Sequence, residues 1–87
     1  MENMNGLVVR SKAGRDKGDL FIILRMENEY AYIANGELRK VDRPKKKKLR
    51  HIQLTGFVSE FIANKLALSG KVTNQEVRKA LAEYSEN

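Results

Sequence analysis

The sequence predicts a mainly β (α+β) domain: a small five-stranded β-barrel followed by a tail of two short helices. Three observations carry that reading. Residues 4–55 fall into short apolar runs separated by Gly, Asn and charged turn signals. After residue 56 the hydrophobic period changes to steps of three and four. The chain has 87 residues, enough to bury one core and too few for two. The barrel is therefore assigned to 4–55 and a helical extension, packed on or beside it, to 56–87.

Leu7-Val8-Val9-Arg10 is a β-branched run that opens the barrel. Residues 11–18 interrupt it with loop chemistry: Gly14 and Gly18 stand four apart, and Ala13 is the one apolar side chain in the stretch. Residues 20–24 form a continuous apolar run, too short for a stable helix and suited to a buried strand. Glu27-Asn28-Glu29 turns the chain into residues 30–34, where Tyr30 and Tyr32 share one face and Ala31 and Ile33 the other. Asn35-Gly36 signals a two-residue hairpin, because both positions tolerate positive φ. Residues 37–42 are then the partner strand, broken by Pro44, and the alternating 49–54 is the closing strand.

In the tail, Phe57, Phe61, Ile62 and Leu66 recur at helical spacing up to Gly70, a residue suited to a helix C-terminus. Thr73-Asn74-Gln75-Glu76 fits a capping box, followed by the stripe Val77, Ala80, Leu81 and Tyr84. These signals predict helices over 57–68 and 74–84. Their apolar residues are expected to cover an open barrel end, the alternative being a docking face for a partner protein.

Composition narrows the chemistry. With no cysteine, thiolate metal sites, disulfides and Cys nucleophiles are excluded, and the lone His51 has no second histidine to share a metal. No cofactor or metal is expected. The loop between Gly14 and Gly18 lacks the full Gly-x-x-x-x-Gly-Lys-Ser/Thr phosphate cradle, and no nucleophile–base pair stands out, so no enzyme activity is expected. Residues 1–6 have neither a basic start nor a long apolar stretch, and the longest apolar run is five residues. Hence no signal peptide or membrane span is expected, and the location is expected to be cytoplasmic.

The formal net charge is +6, and it is concentrated. Residues 39–50 carry Arg39, Lys40, Arg43, Lys45, Lys46, Lys47, Lys48 and Arg50 against Asp42 alone, a net of +7, so the remaining chain sums to −1. Such crowding costs self-repulsion and contributes nothing to a core. A segment of this kind beside a folded scaffold attracts polyanions by displacing condensed counterions.

The stretch Gly6-Leu-Val-Val-Arg-Ser-Lys-Ala-Gly-Arg-Asp-Lys-Gly18 resembles the KOW motif, in the form found in the archaeal and eukaryotic large-subunit ribosomal protein family L-fourteen-e. A second block supports the resemblance: Asn35-Gly36-Glu-Leu-Arg39-Lys40-Val41, then Arg43-Pro44-Lys45, then Arg50-His51-Ile52. Together they span about residues 6–54. Where the general KOW pattern often has another Gly soon after Gly18, this chain has Leu20-Phe21, which favours the ribosomal-type branch. Residues 56–87 do not match the core of that family and look like the short helical tail of compact bacterial KOW-domain RNA-binding proteins. The resemblance implies an SH3-like barrel that binds structured RNA, in most relatives ribosomal RNA, with ribosomal proteins as further partners through the helices.

On this reading Lys12, Arg15 and Lys17 ring the first loop with charge, and Arg39, Lys40, Arg43, Lys45, Lys46, Lys47, Lys48 and Arg50 supply phosphate contacts. His51 is a candidate RNA-contacting or hydrogen-bonding imidazole. Gly14 and Gly18 let the loop backbone approach phosphates, and Asp16 is expected to accept from its own backbone and hold the loop's shape. Asn35 and Gly36 shape the second turn. Tyr30 and Tyr32 are candidate stacking platforms. A different function class stays open at this point: a protein-interaction adaptor in which the same strip grips an acidic partner.

Overall fold

The computed structural model describes residues 3–86, so Met1 and Glu2 of the predicted start and Asn87 of the predicted tail lie outside it. The elements run β1 (Leu7–Ser11), β2 (Leu20–Glu27), β3 (Tyr30–Ala34), β4 (Lys45–Lys48), a 3₁₀ turn (Leu49–His51), β5 (Ile52–Val58), α1 (Glu60–Ser69) and α2 (Asn74–Glu86). The strands form one antiparallel sheet in the order β4-β3-β2-β1-β5.

Both faces of the sheet are covered at β1 and at the start of β2, which explains the unbroken apolar run of 20–24. Alternate side chains of a strand point to opposite faces, and here each face has its own core. Leu7, Val9, Phe21, Ile23, Ala31, Ile33 and Ile52 pack together on the inner face with Met4, Met26 and Leu49. Neither α1 nor α2 supplies a residue to that cluster, so the sheet curls over its own side chains. On the outer face Val8 and Ile22 meet Ile62, Val77, Ala80 and Leu81 from the two helices. Phe57 and Tyr84 join this layer, ring centroids 5.5 Å apart and tilted by 57°. The helices thus close a sheet face and share a core with β1 and β2.

The helix signals act as their chemistry predicts, with shifted bounds. The Ser59 hydroxyl accepts from the Ile62 N–H at 3.3 Å, so α1 begins at Glu60 and residues 57 and 58 belong to β5. Gly70 ends α1 in the left-handed region. At α2 the capping box is reciprocal: Thr73 Oγ1 accepts from the Glu76 N–H at 3.1 Å and Glu76 Oε1 from the Thr73 N–H at 2.9 Å. Among the described residues no helix is long and apolar enough to cross a membrane.

Two expectations are corrected. First, residues 37–42 are not a strand, and Asn35-Gly36 is not a two-residue hairpin turn. The Asn35 and Gly36 amides both donate to the Arg39 carbonyl, and Asn35 Oδ1 accepts from the Glu37 and Arg39 N–H groups. That curls the chain into a compact loop over 35–44 instead of opening a ladder. α2 holds the loop down, since Arg78 donates to the Gly36 carbonyl at 2.6 Å and Asn74 Oδ1 accepts from the Val41 N–H at 2.8 Å. Gly36 has φ of +79°, and a Cβ there would sit 2.5 Å from the Asn74 carbonyl oxygen. Only glycine permits this approach. The fourth strand is the tetralysine Lys45–Lys48, paired with β3 from Ile33↔Lys45 to Tyr30↔Lys48.

Second, the ladder is open, not a closed barrel: β4 and β5 are its two edges. The predicted closing strand over 49–54 begins instead as the 3₁₀ turn Leu49–His51 and becomes extended at Ile52. That turn swings the chain off β4 before it can pair onward, and β5 then joins β1.

Candidate functional site

The loop after β1 is tightly wound. Gly14 and Gly18 both have φ near +90°, the Lys17 N–H donates to the Gly14 carbonyl, and the Gly18 N–H donates to the Ser11 carbonyl at 2.8 Å. The Gly18 carbonyl accepts from Arg10 Nη1 at 2.6 Å. Both backbone groups of Gly18 are thereby used within the chain. Lys12, Arg15 and Lys17 are exposed around the loop, and the Lys12 N–H donates to the His51 carbonyl at 2.8 Å, holding the loop against the 3₁₀ turn.

Asp16 differs from its expected part. Its carboxylate reaches β4: Oδ1 accepts from Ser11 Oγ at 2.7 Å and Lys47 Nζ at 2.8 Å, and Oδ2 accepts from Lys45 Nζ at 2.8 Å. Burial by itself would raise the pKa of this carboxyl. The hydrogen bonds from Lys45, Lys47 and Ser11 outweigh it and hold the group well below the usual carboxylate range. The loop is shaped by its tie to a distant strand, which sequence spacing did not reveal.

The tetralysine is therefore divided. Lys45 and Lys47 pair with Ile33 and Ala31, whose side chains fill the inner core, so these two lysines lie on the inner face and turn toward Asp16. Lys47 is 7% exposed and also donates to the Ala13 carbonyl at 2.8 Å. It is a buried tether and leaves the set of candidate phosphate contacts, as Lys45 does while it holds Asp16. Lys46 and Lys48 pair with Tyr32 and Tyr30 on the outer face. Period-two alternation within a strand makes this separation; a flexible basic loop would not.

Seven predicted cations are exposed (Lys12, Arg15, Lys17, Lys40, Arg43, Lys46 and Arg50), and Arg39 and Lys48 are half-buried. Among the described residues, ion pairs within 4 Å join Lys45 and Lys47 to Asp16 and Lys65 to Glu76. None involves these nine. Arg15, Arg39 and Lys45 border one concavity between the two loops, with Asp16, Asp19 and Phe21 in its wall. Lys40 and Arg43 border a second concavity with Arg39 and Asp42. His51 is half-buried in the 3₁₀ turn, where its carbonyl has the structural task described above.

Arg25 is the residue that sequence reasoning missed. Its guanidinium carbon lies 3.7 Å from the centroid of the Tyr32 ring. Regular pairing beyond Ile23↔Ile33 would have set Arg25 opposite Ala31 on the inner face. A bulge at Leu24 advances β2 by one residue and brings Arg25 opposite Tyr32. No residue in the 20–24 run signals that bulge.

No protein-family model and no curated protein matches the chain.

Proposed function

We propose that this chain is a non-catalytic RNA-binding protein of the cytoplasm that associates with ribosomal RNA, and that its curled sheet is an SH3-like fold of the kind implied by the KOW-type blocks, with the ladder left open between β4 and β5. The observation that carries the reading is the division of charge. The chain satisfies its most buried lysine internally through Asp16, while nine further cations at the two loops, β4 and the 3₁₀ turn stay out of ion pairs among the described residues. Uncompensated like charge of this density costs self-repulsion unless a polyanion neutralises it. A phosphate backbone does so with a favourable release of counterions.

The test is affinity for ribosomal RNA fragments across a salt series. With about four to six cations meeting phosphates, the log–log slope for single-stranded RNA is expected at roughly −3 to −4. Binding that ignores salt, or none at low salt, overturns the reading. Partners captured from cells that survive nuclease treatment would favour the adaptor reading, in which an acidic protein occupies the same strip.

A further inference from the structure

The part of the outer sheet face beyond the helices carries an ordered array of side chains. Strand register sets two cross-strand rows side by side: Arg25, Tyr32 and Lys46 in one, Glu27, Tyr30 and Lys48 in the other. Directly paired residues on one face sit about 5 Å apart, and the rows are about 7 Å apart along the strand. Neither tyrosine belongs to either core cluster, and both remain half-exposed.

The rings are held in place. The Tyr32 hydroxyl donates to Glu27 Oε1 at 2.9 Å, fixing the ring diagonally across the rows. Arg25 lies over that ring at 3.7 Å, and Lys46 Nζ lies 4.5 Å from the Tyr30 centroid. Arg25 is itself exposed and borders an open concavity with Val41, Asp42 and Pro44. A planar cation supported on an aromatic ring offers a flat, preorganised surface, and guanidinium planes stack on nucleobases. A lysine could supply the charge but not the plane.

We propose that Arg25 and Tyr32 form a stacking site for an unpaired nucleobase, with Lys46 and Lys48 taking the phosphates beside it. The proposal rests on the RNA-binding reading above and deepens it: the loop cations give position and affinity, and this face reads an unstacked base. Purines, with the larger stacking area, are favoured over pyrimidines. Glu27 acts as a positioning residue through the Tyr32 hydroxyl.

The experiment compares a ten-residue oligoadenylate with heparin, a polyanion without bases, on the full chain and on Arg25→Lys and Tyr32→Ala. Both variants alter surface side chains, and an unchanged melting temperature checks that they fold; Arg25→Lys also keeps the charge. Expected is a loss of about 5- to 150-fold in oligoadenylate affinity, the range for removing one base–aromatic stack. Heparin affinity and the salt slope should stay unchanged. Because the chain has no Trp and three Tyr, Tyr84→Phe leaves Tyr30 and Tyr32 as the only tyrosine fluorophores, and oligoadenylate should quench them while heparin does not. Undiminished oligoadenylate binding by Arg25→Lys, or equal losses for both ligands, overturns the stacking site and leaves the charge-based reading standing. Failure of the parent chain to bind either polyanion overturns both.

Discussion

Asp16 Oδ1 and Lys47 Nζ meet at 2.8 Å with only 15% and 7% of their side chains exposed, joining the glycine loop to the fourth strand across 31 residues of sequence. Removing one partner of a buried ion pair leaves the other charge desolvated and uncompensated. Lys47→Ala is therefore expected to cost about 2–4 kcal/mol in chemical denaturation, whereas Lys46→Ser on the outer face should stay within about 0.5 kcal/mol. Changing Lys45 to Lys48 together would mix a folding defect with a binding defect, so Lys46 and Lys48 are the informative pair for RNA affinity. Equal stabilities of the two single variants would contradict the division of the tetralysine.

Asp16 also sets an acid dependence. Its ordinary pKa of 3.8 is lowered in the folded chain, with the lysine and serine hydrogen bonds overriding the opposing effect of burial. A depressed carboxyl contributes stability that is fully present above the unfolded value and is lost as pH falls toward the folded one. Stability of the parent should fall below about pH 4–5. Asp16→Asn, less stable at neutral pH, should show a shallower decline there in pH-dependent urea unfolding; a parallel decline would deny Asp16 this role.

Gly36 makes a sharp prediction about the loop over 35–44. Alanine there needs a left-handed backbone and sets its Cβ 2.5 Å from the Asn74 carbonyl oxygen. Gly36→Ala is expected to destabilise by more than about 1 kcal/mol. It should also speed hydrogen exchange at the Val41 amide, which donates to Asn74 in the parent. At Gly70, with φ of +73°, an added Cβ would meet nothing within 4 Å. Gly70→Ala therefore carries only the backbone strain and should cost less.

The helices and sheet should unfold together. Ile62 is fully buried and packs in one cluster with Val8 and Ile22 of the sheet. Ile62→Ala is expected to cost about 2–4 kcal/mol. Exchange protection should fall in β1 and β2 as well as in α1. Loss confined to the helices would mean that they form a separate unit.

For RNA affinity, replacing Lys12, Arg15 and Lys17 by Ser should flatten the log–log salt slope by about 2 if all three meet phosphates of a single strand. These side chains are exposed, so the melting temperature should hold. An unchanged slope would shift the interface to Lys40, Arg43, Lys46 and Arg50.

Local chemistry was enough to write three strands, both helices and the capping box from sequence, because each is decided by side chains close along the chain. Leu7 to Arg10, the run of 20–24 and the alternation around Tyr32 announce strands, and Thr73 with Glu76 announces a helix start. The concentration of charge over 39–50 was equally plain. What sequence could not supply was register and closure. Four identical lysines have no pattern of their own, and only pairing with Ala31 and Ile33 on one side and Tyr30 and Tyr32 on the other tells the inner two from the outer two. Asn35-Gly36 looks like a hairpin turn until Asn74 and Arg78 of α2 claim the loop's backbone. The Leu24 bulge, invisible in an apolar run, turns Arg25 from the inner face to the outer. Charge and element type are properties of neighbouring residues. Which lysine is buried, which arginine meets a ring and whether the sheet closes depend on partners distant along the sequence, and only the packed chain brings those together.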